Sequence, residues 1–234
     1  MKLALLQCGN IPEKFHAATG GDSDVIFSSH FNQYAEGVTI EAYNVSDGIY
    51  PSSMDDHDGY ILNGSRFSVY DDEEWVKQLK VYVSELHAVQ KKFIGICFGH
   101  QMIAEALGGK VTKSPNGWGV GAHTFDVRVQ ESWMKPPMQQ YTILMSCQDQ
   151  VQTLPPDSTV LAGNDFCPVG MFRVGQHFLG MQGHPEFNIA FSKTLMDSRQ
   201  DRIPADTIER GMQSLDSSIS TQELTDWMVN FIRL

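Results

Sequence analysis

The sequence predicts an α/β fold in which a mostly parallel sheet is flanked by helices and followed by a meander of short strands. Three observations carry this expectation. In the first half, apolar runs of strand length such as Lys2–Gln7, Gly59–Leu62 and Phe93–Ile96 alternate with segments whose apolar residues recur at helical spacing. Between Val111 and Leu179 the pattern turns to closely spaced strands with turn signals, and Pro136-Pro137 and Pro155-Pro156 break it. At 234 residues and 41% hydrophobic content the chain can bury a full core, and it reads as one domain over 1–234 with a helical extension at about 190–234.

Taken in order, Lys2–Gln7 is an opening buried strand, too brief an apolar run for a signal peptide or a membrane span. Asp22 or Ser23 then caps a helix through about Tyr34, with Val25, Ile26 and Phe31 on its apolar side. Val38–Val45 alternates and is β-branched, as a strand should be. Gly59–Leu62 is a short strand closed by the turn Asn63-Gly64-Ser65-Arg66. From Asp71 to Val89, Trp75, Leu79, Tyr82, Val83 and Leu86 form a helical stripe, and the run Asp71-Asp72-Glu73-Glu74 favours the helix start through its dipole.

The later strands are placed at Phe125–Val129, Tyr141–Met145, Val160–Ala162, Val169–Val174 and Phe178–Met181, as a meander laid against the sheet. Past Glu186 a helix carries Phe191, Leu195 and Met196, and Arg199–Pro204 breaks it. Finally Ser220-Thr221-Gln222-Glu223 reads as a capping box before Leu224, Trp227, Met228, Phe231 and Ile232, a stripe expected to bury on its own domain.

Composition excludes several function classes. With 17 basic against 28 acidic residues the net charge is −11, which argues against nucleic acid or an anionic membrane as partner. Cys8, Cys97, Cys147 and Cys167 lie far apart with no C-x-x-C, so neither a zinc site nor a disulfide framework is indicated, and a reduced, cytoplasmic setting fits. The remaining histidines show no metal-ligand spacing, so no metal or other cofactor is expected. Asn116–Gly121 is glycine-rich but lacks the Lys-Ser/Thr of a phosphate loop, and is read as a loop near the pocket.

The chemistry concentrates at Lys91–Lys110. The buried strand Phe93–Ile96 runs into Cys97, which stands between Gly95 and Gly99, and Met102, Ile103, Ala106 and Leu107 then follow at helical spacing. A nucleophile on so sharp a strand-to-helix turn needs small neighbours, and the two glycines supply them. At a helix N-terminus the dipole favours the thiolate of a group whose free pKa is ~8.5. The Phe98 N–H points where an oxyanion would develop. The second signal is Gly183-His184-Pro185-Glu186. In an extended segment residues two apart share a face, which places His184 and Glu186 side by side at roughly 6–7 Å. A carboxylate there would fix the imidazole's tautomer and stabilise the imidazolium formed when it takes a proton from Cys97.

Together, Gly95-Ile96-Cys97-Phe98-Gly99-His100-Gln101 and Gly183-His184-Pro185-Glu186 closely resemble the class I glutamine amidotransferase (Triad) family over roughly residues 40–190. The chain looks most like stand-alone members related to the glutaminase domain of GMP synthetase, γ-glutamyl peptidases included. The resemblance implies a flavodoxin-like fold, a Cys97-His184-Glu186 triad, and an oxyanion hole from the N–H groups of Gly64 and Phe98. It also implies that Gln101 and the segment Ser146-Cys147-Gln148 bind the glutamyl end of a small-molecule substrate. Three residues depart from the pattern: Ser65 and Arg66 lie in the usual glycine-rich turn, where for Arg66 a solvated surface role is favoured over carboxylate binding, and Cys147 replaces a histidine.

The expected activity is hydrolysis of the γ-carboxamide of glutamine through a γ-glutamyl thioester, with a separate synthetase subunit as candidate partner because no ATP-binding segment follows Glu186. The alternatives are γ-glutamyl peptide hydrolysis, towards which Arg66 and Cys147 tilt the reading, and a non-catalytic redox-sensing protein on the same scaffold.

Overall fold

A computed structural model describes residues 1–234. The chain runs through β1 (Lys2–Gln7), the single turn α1 (His16–Thr19), α2 (Ser23–Tyr34), β2 (Thr39–Asn44), β3 (Gly59–Leu62), α3 (Glu74–Ala88), β4 (Phe93–Ile96) and α4 (Phe98–Ala106). It continues with β5 (Lys110–Lys113), β6 (Gly119–Val127), β7 (Gln140–Cys147), β8 (Asp149–Thr153), β9 (Ser158–Gly163), β10 (Met171–Val174) and β11 (Phe178–Met181). Three helices, α5 (Ile189–Asp197), α6 (Ala205–Ser214) and α7 (Thr221–Arg233), complete it.

Nine strands form one sheet in the order β2-β1-β3-β4-β11-β10-β9-β6-β7. From β2 to β11 neighbours run parallel, and from β11 to β7 they run antiparallel. The fold is therefore α/β with a mixed central sheet, parallel from β2 to β11. The meander differs from the sequence expectation: β6, β7, β9 and β10 extend this sheet instead of lying against it, and only β5 and β8 pair separately. The reason is that β11 offers β10 a hairpin partner on its free edge, so the antiparallel strands add laterally.

Alternation in the parallel strands explains the layers. Leu3 and Leu5 of β1, Ile61, Ile94, Leu179 and Met181 face one core, which α2 closes with Phe27 and Phe31 and α7 closes with Leu224, Trp227, Met228 and Phe231. Ala4, Leu6, Tyr60, Leu62, Phe93 and Phe178 face the other, which α3 and α4 close with Leu79, Val83, Leu86, Met102 and Ile103. The terminal helix thus buries its stripe on its own fold, and the Trp227 Nε1–H donates to the Pro136 carbonyl at 2.9 Å. No helix is long and apolar enough to cross a membrane.

Several local expectations change. Asp22 does cap α2, its Oδ1 accepting from the Ser23 N–H, but Val25 is exposed while Ile26, Phe27 and Phe31 are buried. The capping box at Ser220 does not form: its Oγ accepts from the Thr142 N–H at 3.1 Å, and its own N–H donates to the Thr142 carbonyl at 2.8 Å. The glycine-rich stretch is not all loop, because Gly119–Gly121 begins β6. Gly121 has φ +79, and a Cβ there would lie 2.4 Å from the Gly211 carbonyl oxygen, so the glycine lets α6 settle on the strand. Helix α6 itself was hidden in sequence, since Gly211 is its one buried residue.

The junction of β4 and α4 is packed backbone against backbone. A Cβ on Gly95 would sit 2.3 Å from the Gly99 carbonyl oxygen, and one on Gly99 would sit 2.3 Å from that of Leu62. Both obstacles are backbone and cannot swing away. Gly37 is a useful contrast, with φ +76 but nothing within 4 Å of an added Cβ. Urea unfolding should show Gly37→Ala losing about 1–2 kcal/mol from left-handed strain. Gly95→Ala should lose about 3 kcal/mol or more from overpacking; equal losses for the two would mean that the junction is not sterically limiting.

Candidate active site

The strain at this junction is carried by Cys97, which has φ 53 and ψ −100, a region that residues with a side chain rarely adopt. Its N–H donates to the Met181 carbonyl of β11 at 2.8 Å, and its carbonyl accepts the first helical bond, from the Gln101 N–H at 3.0 Å. The sulfur is thereby aimed out of the carboxyl ends of the parallel strands, where α/β sheets place their sites. The adjacent Phe98 N–H opens α4, and the first N–H groups of a helix have no intrahelical partner.

His184 arrives from the segment after β11. Its N–H donates to the Leu144 carbonyl of β7 at 2.8 Å, an isolated bridge that pins the backbone. Pro185 and Glu186 then form a turn instead of continuing extended. The turn brings the two side chains closer than the extended spacing anticipates: Glu186 Oε1 lies 2.8 Å from His184 Nδ1. Both are almost wholly buried, with side-chain exposures of 5% and 4%. Phe187 stacks on the imidazole at 3.8 Å between centroids. With Nδ1 taken by the carboxylate, the other ring nitrogen is left on the side of Cys97: a Cβ built on Gly64 would lie 3.7 Å from His184 Nε2 and 3.8 Å from Cys97 Cβ.

The electrostatics suit a thiolate and imidazolium pair. The Cys97 thiol is lowered well below its usual value, first by a hydrogen bond from Cys147 and then by the His184 charge and hydrogen bond, against the opposing effect of burial. Burial alone would discharge His184, but the charges of Glu186 and Cys97 outweigh it and raise the imidazolium. His100, one turn into α4, is held neutral by burial and packs edge-on to Phe172.

The remaining sequence-derived residues divide into three groups. Gly64 is beside the triad: a Cβ built on it would lie 2.8 Å from His184 Cε1 and 3.8 Å from Cys97 Cβ. Gln101 is buried, and its amide NH2 donates to the Asp149 carbonyl at 2.8 Å and to Gln182 Oε1 at 3.2 Å, which leaves its own Oε1 for a ligand. Ser146 and Cys147 end β7, and the carbonyl of Gln148 after them accepts from the Ser114 N–H at 2.9 Å. Arg66 is exposed over the Phe67 ring, as its surface reading anticipates. No group of three or more His, Cys, Asp and Glu is arranged to hold a metal ion.

One residue escaped the sequence reading. Arg199, just past α5, donates from Nη1 to Ser146 Oγ at 2.6 Å and stands 5.9 Å over the Trp118 ring. It is partly buried, and burial and the neighbouring Arg202 both work against its charge. A buried cation met by no carboxylate is a candidate anchor for an anionic substrate group. In sequence it looked like the end of a helix, and only the packing of α5 on β7 brings it to the cleft.

Comparison with known proteins agrees with this geometry. Residues 30–196 match the family described as glutamine amidotransferase class-I. Gamma-glutamyl peptidase 3 of Arabidopsis thaliana is 32% identical over 183 residues, covering 75% of this chain and 73% of that protein. The glutamine-hydrolyzing GMP synthase of Porphyromonas gingivalis is 29% identical over 174 residues, covering 70% of this chain but 33% of that protein. The crystal structure of a glutamine amidotransferase from Thermotoga maritima superposes with a TM-score of 0.76 at 16% identity, covering 99% of each chain. The strained cysteine between close-packed glycines and the buried His-Glu pair therefore stand in a chain that belongs to the class I glutamine amidotransferase family.

Proposed function

We propose that the protein is a cysteine-dependent γ-glutamyl hydrolase whose preferred substrates are γ-glutamyl peptides, with glutamine as a lesser substrate. The observation that carries the reading is Cys97 at a strained strand end, beside a His184 whose Nδ1 lies 2.8 Å from the buried Glu186 carboxylate. The sequence alone puts glutamine first. The order is reversed because peptidases of Arabidopsis thaliana align over about three quarters of their own length, whereas the GMP synthase aligns over one third of its length.

In this reading the Cys97 sulfur attacks the γ-carbonyl carbon, and the oxygen that gains charge is held by the N–H groups of Gly64 and Phe98. His184 gives its proton to the departing amine, and Glu186 steadies the ring while it is charged. Water, deprotonated by His184, then cleaves the thioester and releases the γ-carboxylate. Arg199 holds the α-carboxylate of the glutamyl group as a fork, and Oε1 of Gln101 accepts from its α-ammonium.

Four outcomes test this. Intact-mass measurement should find a γ-glutamyl adduct on Cys97, and a hydrolysis panel should show γ-glutamyl dipeptides turning over faster than glutamine; turnover of glutamine alone removes the peptide preference. The kcat/KM profile should rise through about 5 as Cys97 ionises and fall near about 10 as the imidazolium is lost, and Glu186→Gln should move the upper limb to lower pH by removing the charge that raises His184. An acid limb at the value of a free thiol, ~8.5, contradicts the ion pair. Arg199→Gln should raise KM about tenfold to a hundredfold, the loss expected of one charge-assisted hydrogen bond; a change confined to kcat would remove its anchoring role.

A further inference from the structure

Gln182 leads from β11 into the turn that bears His184, and it is wholly buried although half of its amide bonds to nothing. The residue is 0% exposed, and its Nε2 meets no hydrogen-bond acceptor. A donor buried without a partner has given up its water for no bond, which counts against the fold. An apolar side chain of the same length would fill the space without that cost, so packing alone gives no reason for an amide here.

The other half of the amide is engaged. Gln182 Oε1 accepts from Gln101 Nε2 at 3.2 Å, and the Asp149 carbonyl accepts from the same nitrogen at 2.8 Å. The backbone holds the ends of this arrangement. The Gln182 N–H donates to the Gly170 carbonyl at 2.9 Å, and Met181 before it accepts from the Cys97 N–H at 2.8 Å. Gln101 is 3% exposed, and its own N–H is bonded to the Cys97 carbonyl at 3.0 Å. Oxygen and nitrogen ends of a primary amide are nearly alike in shape, so hydrogen bonds decide which way it points. A single bond to Asp149 would let the Gln101 amide pivot about it; two bonds fix its plane.

We infer that Gln182 is a positioning residue: together with Asp149 it takes both hydrogens of the Gln101 amide, and so keeps Gln101 Oε1 free as the acceptor for the α-ammonium of a γ-glutamyl substrate. This deepens the proposed function and rests on it. The acceptor matters because an ammonium carries donors only, and an amide turned to offer N–H would meet donor with donor. Gln182 thus acts through Gln101, and its unpaired Nε2 is what the fold tolerates for an oxygen in the right place.

The test compares γ-glutamylglycine with glutarylglycine, which keeps the carboxylate and lacks the α-ammonium. The unaltered chain should prefer γ-glutamylglycine in kcat/KM, and Gln182→Met should cut that preference about tenfold, the effect of one hydrogen bond to a charged group. The loss should lie in KM for γ-glutamylglycine, with kcat and the KM for glutarylglycine little changed. Gln182→Glu should retain the preference, since an acceptor oxygen stays and the nitrogen it loses bonds to nothing. Gln182→Asn, which withdraws the oxygen by one methylene, should lose the preference as Gln182→Met does, and serves in its place should that variant not fold. Gln101→Leu should abolish the preference, and adding Gln182→Met to it should change nothing more.

An equal rise in KM for both substrates, a loss confined to kcat, or a further loss in the double variant overturns the inference. So does an unaltered preference in Gln182→Met while Gln101→Leu abolishes it; a preference that survives Gln101→Leu removes the binding role of Gln101 as well. Calorimetric titration of Cys97→Ala with the same two compounds reads the preference without turnover. A preference in binding that Gln182→Met reduces, in a chain that hydrolyses neither compound, would lose the proposed hydrolase and keep the positioning role; hydrolysis with equal affinity for both compounds would keep the hydrolase and lose the positioning role.

Discussion

The structure depends on one close approach, in which the backbone of Gly99 passes so near to Gly95 and Leu62 that no side chain fits between them. That approach forces the chain to turn sharply at Cys97 and holds a side-chain-bearing residue at positive φ. Strain of this kind costs on the order of 1–3 kcal/mol and persists only where surrounding structure over-determines it. Here the surroundings are the two fully buried strands β3 and β4 and a helix packed directly on their ends. The sulfur's position is therefore a property of the core and not of a loop.

The rest of the cleft is assembled by tethers to that fixed point. The Asp149 carboxylate accepts from Ser68 Oγ and from Tyr70 Oη at 2.9 Å, while its carbonyl accepts from Gln101 at 2.8 Å. One residue thus joins the loop after β3, the helix that begins after Cys97, and the strand that follows Cys147. His184 and Arg199 are likewise fixed through β7, by way of Leu144 and Ser146. The antiparallel half of the sheet is what lets β7 reach the end of β4, although four strands separate them in the sheet order.

What could be read from residues alone follows this division. Strands buried on both faces, such as Gly59–Leu62, Phe93–Ile96 and Phe178–Met181, were legible because their composition is uniform and their bounds are punctuated. The elbow was legible because its chemistry is local: Gly95, Cys97 and Gly99 are neighbours in sequence. Helix α6 was not, because its contact with β6 uses Gly211 against Gly121 and its apolar side is short, Ile208 and Met212 being only half-buried. The start of β6 was masked by glycines that serve the same contact. The bond of Arg199 to Ser146 depends on which distant elements become neighbours, and no local pattern encodes that. Ser220 shows the converse, a capping signal that tertiary hydrogen bonding to Thr142 diverts.

The bonds that pin His184 and Ser220 have a second effect. Strand β7 is the outermost strand of the sheet, and its outward backbone groups at Thr142 and Leu144 are occupied by Ser220 and His184. An open strand edge invites another chain to add to it, and natural proteins cover such edges. The turn that bears the imidazole acts here as that cover. Loosening it would free a ribbon able to recruit further molecules, so retaining the triad segment also guards the protein against self-association.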